Sequence, residues 1–263
     1  MVSIHSFEEF ESGARPRRLM KYMLVSCTQG AAAVQVDEKR LVLHRNEVLT
    51  ITSGQYHHFI DFGKAKGYIL AFTLDFFCKD DADVELVFQN GLFCHFDENE
   101  IIPLPRQNLV NEQLEAIRRE LEEKPYQYLV SVHARIELIL VQLNRAKVER
   151  GEEVWKPDAL FLKFLDLVRG SFGKGYDLSR IAGMLGSSVA RLNQQSRLHA
   201  GKTAQHVMYG LVASEAKRML IYQKKSVKEI AYQLGFNDPY YFSNFFKKYT
   251  GLSPKAFQEK FRR

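Results

Sequence analysis

The feature that most constrains this chain is an internal repeat towards its C-terminal end. Leu178-Ser-Arg-Ile-Ala-Gly-Met-Leu-Gly186 and Val227-Lys-Glu-Ile-Ala-Tyr-Gln-Leu-Gly235 share their apolar, Ile-Ala and Leu-Gly positions. Apolar residues at i, i+3, i+4 and i+7 describe one face of a short helix, and the closing glycine suits a left-handed C-cap. A second helix follows each copy. Ser187 or Ser188 can cap one running through residues 192–199. Asp238 can cap, and Pro239 can open, another over residues 240–249, with Phe242, Phe245 and Phe246 on its apolar face. Both end at a glycine, Gly201 and Gly251. Leu192 lies six residues past Gly186 and Phe242 seven past Gly235, so the second turn is one residue longer. Two short helices joined by a tight turn containing glycine form a helix-turn-helix, here at 178–199 and again at 227–249.

The flanking sequence completes an all-α domain of about seven helices over residues 158–263. One helix is expected over 158–168. A long one over 203–222 turns Val207, Leu211, Ala216, Met219 and Leu220 inward. Ser226 with Glu229 makes a capping box, and Ser253-Pro254 opens a final helix. Charge follows the same division. Of the net +6, residues 158–263 hold 18 Lys/Arg against 7 Asp/Glu, a balance of +11, while residues 1–157 carry −5. A basic module suits a polyanion, because Lys and Arg that neutralise phosphates release counterions. Charge alone serves membrane attraction or solubility equally well, so the motif decides.

Other classes find little support. No stretch approaches the ~18 apolar residues of a membrane span, and the acidic start lacks the basic head of a signal peptide. Cys27, Cys78 and Cys94 form neither a C-x-x-C pair nor an even framework and read as reduced thiols of a cytoplasmic protein.

Gly235-Phe-Asn-Asp-Pro-Tyr-Tyr-Phe-Ser243 followed by Phe246-Lys-Lys-Tyr-Thr-Gly-Leu-Ser-Pro254 resembles the signature of the AraC family of transcription regulators. Glu215-Ala-Lys-Arg-Met-Leu220 and Ile230-Ala-Tyr-Gln-Leu-Gly235 fit the same pattern, and the match covers about a hundred residues. The first unit fits less tightly, because Ser196 stands where an apolar or aromatic residue is common. The resemblance implies double-stranded DNA as partner, together with the transcription machinery. It also implies that both second helices enter major grooves on one face of the duplex, joined by the long helix.

Removing core positions by periodicity leaves Ser188, Ala190, Arg191, Asn193, Gln194 and Arg197 on the exposed face of the first of these helices. The second offers Pro239, Tyr240, Ser243, Asn244, Lys247 and Lys248. Asn and Gln pair bidentately with adenine and Arg with guanine. Asn193 and Gln194 match the family's base-reading positions, and Asn244 is the best reader on the second helix by the same chemistry. Arg191, Arg197, Lys247 and Lys248 suit phosphates, and Tyr240 a phosphate or sugar. Asp238 reads as a helix cap before a base reader.

The N-terminal part alternates like strands over residues 19–27, 33–36, 40–44, 47–51 and 68–72. Turn chemistry separates them at Gly30, Asp37-Glu38, Asn46, Ser53-Gly54 and Gly63. Val48-Leu-Thr-Ile-Thr-Ser-Gly-Gln-Tyr-His57 and Gly67-Tyr-Ile-Leu-Ala-Phe-Thr73 resemble the cupin-like sensor domain common in the family, which implies a β-barrel over residues 1–105 holding a small-molecule effector. Residues 108–123 and 126–150 form two amphipathic helices broken at Lys124-Pro125. One turns Leu114, Ile117 and Leu121 to a common face, the other Leu129, Val132, Ile136, Ile139 and Leu143. This hairpin, 106–150, either covers the barrel or forms a homodimer contact, and 151–157 reads as a linker.

Two alternatives stand beside an effector-controlled regulator: a constitutive DNA-binding regulator with a non-sensing barrel, and a metal-dependent cupin enzyme fused to a DNA-binding tail. Against the enzyme, adjacent residues on a strand point to opposite faces, so His57 and His58 do not readily ligate one metal from a regular strand, and His44 and His95 lie elsewhere. No nucleophile elbow or phosphate loop occurs, so neither metal, other cofactor nor catalytic residue is expected. Effector identity, operator sequence and the direction of regulation are not written in the sequence.

Overall fold

The computed structural model describes residues 1–9, 15–88, 92–93, 100–105, 109–150, 159–175, 177–223 and 225–261. Cys94, His95, the expected linker 151–157 and the expected helix starts at Asn108 and Asp158 lie outside the described residues. Two compact units result, Met1–Lys156 and Pro157–Arg263.

The first unit holds strands β1 (Val2–Ser6), β2 (Arg17–Arg18), β3 (Tyr22–Gln29), β4 (Ala31–Val36), β5 (Lys39–His44), β6 (Glu47–Ile51), β7 (Tyr56–Asp61), β8 (Lys66–Phe72) and β9 (Ile101–Pro103). They pair antiparallel in two sheets, ordered β1-β8-β3-β6-β9 and β2-β7-β4-β5. Asp37, at the tip of the β4–β5 hairpin, and Asn46, in the turn that carries the chain from β5 in one sheet to β6 in the other, take φ of 47° and 65°, a conformation for which their short polar side chains are suited. Residues from both sheets meet in one core of Met23, Val25, Cys27, Val34, Val36, Leu43, Leu49, Ile51 and Ile69. Phe7, Phe62 and Phe59 stack through it with ring centroids 4.4 and 5.0 Å apart.

The five-stranded sheet is buried on its other face as well. Tyr22, Phe72, Phe77, Phe88 and Phe93 form an aromatic cluster there. Two short helices supply part of it, α1 (Leu74–Phe77), capped by Thr73, and α2 (Asp81–Phe88). The helical hairpin α3 (Val110–Glu123) and α4 (Tyr128–Glu149) turns at Lys124, which takes a left-handed φ of 49° before Pro125. Ser26 on β3 donates to Asn111 of α3 at 3.1 Å. On α4, buried His133 lies against the carbonyl oxygen of Phe77 at 2.7 Å and stacks on its ring. Lys147, also buried, pairs with Glu100. Val132, Ile136, Ile139 and Leu143 are buried as expected, but Leu129 is 44% exposed. It lies in the first turn of α4, one turn before the buried stripe begins.

The second unit is helical: α5 (Ala159–Arg169), α6 (Leu178–Met184), α7 (Val189–Ala200), α8 (Ala204–Tyr222), α9 (Val227–Gln233), α10 (Pro239–Thr250) and α11 (Pro254–Phe261). Side chains cap the starts. Asp177 accepts from Arg180 N at 2.8 Å, Ser188 from Arg191 N, Thr203 from His206 N and Asp238 from Tyr240 N. Ser226 and Glu229 form the reciprocal box. Hydrogen bonds from the Ser226 hydroxyl and backbone N–H favour the ionised carboxylate and hold the Glu229 pKa below its ordinary value. Helix α8 serves two cores. Its first half buries Ala204, Val207, Met208 and Leu211, and the helix packs on α5 and α7. Its second half buries Ala216, Met219 and Leu220 in a cluster with Ile230, Leu234, Phe242, Phe246 and Phe257.

The two lobes differ beneath their second helices. Phe246 fills its position against Phe242 and Phe257, with centroids 5.9 and 5.4 Å away. Ser196, ten residues past its turn glycine where Phe246 is eleven past its own, is equally buried. Its hydroxyl has no hydrogen-bond partner among the described residues. A buried, unpaired hydroxyl carries a desolvation cost of about 1–3 kcal/mol. Ser196→Ala is therefore expected to raise stability by about 1 kcal/mol in chemical denaturation of the full chain; a loss of stability would refute this reading of the site.

Candidate nucleic-acid interface

The first helix of each pair, α6 and α9, is short and buries an Ile-Ala dipeptide, Ile181-Ala182 or Ile230-Ala231. After the turn, α7 and α10 bury Leu192 and Ser196 in one lobe and Phe242, Phe245 and Phe246 in the other. One face of each helix is thereby fixed on its core, and the opposite face is presented.

On α7 the presented residues are Ala190, Arg191, Gln194 and Arg197, with Ser188 exposed at the cap. On α10 they are Tyr240, Asn244, Lys247 and Lys248, while Pro239 and Ser243 are half-buried. Gln194 and Asn244 occupy matching positions, eight and nine residues past their turn glycines. Both are exposed carboxamides, and neither hydrogen-bonds to a described residue. Arg191, Arg197, Lys247 and Lys248 make no ion pair among the described residues. Each helix thus offers a planar donor–acceptor group flanked by cations, the chemistry that reads base edges and holds phosphates.

Asn193 is a different case. It is half-buried at the edge of the stripe formed by Val189, Leu192 and Ser196. Its carboxamide oxygen accepts from Ala204 N at 2.9 Å, serving an otherwise orphaned N–H in the first turn of α8. Bidentate pairing with adenine needs both ends of the carboxamide, so the expected base-reading role conflicts with this bond. Ser243, the matching residue on α10, also bonds locally, donating to the Pro239 carbonyl at 2.9 Å. Ser188 and Asp238 are engaged as caps.

Two exposed side chains were not expected. Leu198 on α7 and Tyr241 on α10 are 71% and 63% exposed. Their apolar character suits a core, and the signal that places them outside is their spacing, two residues past Ser196 and one before Phe242.

Within unit 1, His57 is buried with its Nδ1 3.3 Å from the Gln55 carbonyl, and burial pushes its pKa down. Among the described residues, no group of three or more His, Cys, Asp or Glu side chains is placed to hold a metal ion. Cys27 is buried and Cys78 half-buried, and neither forms a disulfide among the described residues. No helix among the described residues is long and apolar enough to cross a membrane.

A family model described as a helix-turn-helix domain matches residues 181–260. The chain is 29% identical over 118 residues to an uncharacterized HTH-type transcriptional regulator in the cgkA 5'region of Pseudoalteromonas carrageenovora, covering 45% of this chain and 70% of that protein. It is 31% identical over 105 residues to the HTH-type transcriptional activator RhaR of Klebsiella pneumoniae, covering 40% and 37%, and 27% identical over 121 residues to RhaS of an Enterobacter species, covering 46% and 43%. The matches thus span less than half the length of those two activators. Among solved structures, fatty-acid-bound ToxT of Vibrio cholerae aligns over 100% of this chain and 95% of that one, at 14% identity and a TM-score of 0.43. The family model covers most of the tandem motif. Residues 181–260 carry a helix-turn-helix domain, and the chain is similar to transcription regulators of the AraC family.

Proposed function

We propose that this regulator reads DNA sequence through α7 and α10 as two separate readers, with Gln194 and Asn244 touching base edges. Arg191, Arg197, Tyr240, Lys247 and Lys248 then hold the backbone on either side. The observation that carries this reading is the matched placement of two unengaged carboxamides among unpaired cations on the second helix of each motif. Asn193 acts as a brace between α7 and α8.

The effector implied by the family resemblance finds less support in unit 1. The space between its sheets is occupied by the Phe7–Phe62–Phe59 stack and the aliphatic core around it. That observation favours a barrel that serves assembly over one that senses. Helix α4 supports the same role. Val130, Ala134, Leu138 and Val148 are exposed and Val141 half-buried, at spacings of three, four and seven that form one stripe. Such a stripe, opposite the buried one, suits the same helix of a second copy.

Gln194→Ala and Asn244→Ala are each expected to cost about 1–3 kcal/mol of base discrimination, each in a different half of the bound site. Competition binding with single-base variants measures this; unchanged selectivity in both would remove the groove assignment. Asn193→Ala should instead lower thermal stability with selectivity kept. Leu138→Glu should convert dimers to monomers in sedimentation equilibrium, whereas an unchanged mass would exclude the α4 contact.

A further inference from the structure

Unit 2 contains a cavity of about 390 Å³ bounded by the loop after α5, the first half of α8 and the turn between α9 and α10. Both lobes wall it, and they meet closely beside it. A Cβ built on Gly173 would lie 2.3 Å from the Gln233 carbonyl oxygen, and one on Gly235 would lie 3.1 Å from Gly175 N. Both Gly173 and Gly235 take φ of +83°, so this contact is open only to glycine. An occupant of the cavity would therefore touch both lobes at the point where they lock.

The wall has a definite chemistry. Phe172, Tyr209, Phe236 and Tyr241 contribute aromatic rings, with Ile181 and Met208 among the aliphatic surface. Among the described residues that line it, the charged ones are two carboxylates, Asp177 and Asp238, with no Lys or Arg, although the surrounding domain has a balance of +11. Each carboxylate uses Oδ1 as a helix cap, to Arg180 N and Tyr240 N. The other oxygen makes no bond to a described residue. Volume and apolar lining match small-molecule sites, which run to ~300–1,000 Å³. Aromatic faces with carboxylates and no base attract an ammonium group and repel a carboxylate.

We propose that this cavity is a binding site for a small hydrophobic amine, an ammonium group on an aromatic or aliphatic body. The site lies within the DNA-binding unit itself, and its occupant braces one lobe against the other. The inference rests on cavity chemistry and stands whether or not α7 and α10 read bases as proposed.

The test uses the full chain without DNA and three probes of one shape: 4-phenylbutylamine, 4-phenylbutanol and 4-phenylbutyrate, titrated by ligand-observed NMR. The amine should bind at least tenfold more tightly than the acid, with the alcohol between. Asp177→Asn with Asp238→Asn keeps both caps, since Asn caps as well as Asp, and should erase the preference for amine over alcohol. Met208→Trp fills the cavity and should abolish binding of all three, with circular dichroism checking its fold. Equal binding of amine and acid, no binding by the unchanged protein, or a preference that survives the double substitution would overturn the proposal. Because DNA is absent, none of these results depends on the groove assignment.

Discussion

Helix α8 belongs to two hydrophobic cores at once, and the arrangement of the DNA-binding unit depends on that sharing. Ala204, Val207, Met208 and Leu211 are buried in its first half, and the helix packs on α5 and α7. Ala216, Met219 and Leu220 are buried with α9, α10 and α11. A continuous helix is stiff, so two lobes packed along it are held at one separation and one rotation. Glu215, buried between them in sequence, pairs with Arg218 at 3.1 Å on the same helix, which keeps its charge matched. Asn193 extends the constraint, because its bond to Ala204 N ties the middle of α7 to the start of the shared helix.

The ends of the helices were legible because short-range chemistry sets them. Thr203, Ser226, Asp238, Gly201 and Gly251 act on backbone groups within a few residues, and the caps fall where spacing puts them. Strands β4, β5 and β6 were legible for a similar reason, since positive-φ turns at Asp37 and Asn46 separate them. Strands β1, β7 and β9 were not. Strand β1 is completed by pairing with β8, sixty or more residues away, and β9 is three residues long. Strand β7 carries His57 and His58 in a run that periodicity does not distinguish from a loop. Strand β3 reads as an unbroken apolar run because both faces of its sheet are covered.

For the interface, periodicity separates buried from presented faces but does not say what a polar side chain at the boundary bonds to. Asn193 and Gln194 are neighbours of similar chemistry. One lies beside the core stripe and reaches the next helix, the other lies a further 100° round. Only the packing of α7 against α8 separates them. The same limit applies to Ser196, whose buried hydroxyl shows that the first lobe has a less complementary core than the second, where aromatic rings interlock.

The central claim is that α8 fixes two readers at a set spacing. Selecting bound sequences from a random duplex pool with the full chain tests it most directly. Two rigidly joined readers entering successive major grooves should recover two blocks of preference whose centres lie about 10–10.5 base pairs apart. A single uninterrupted block, or two blocks at variable spacing, would contradict the account.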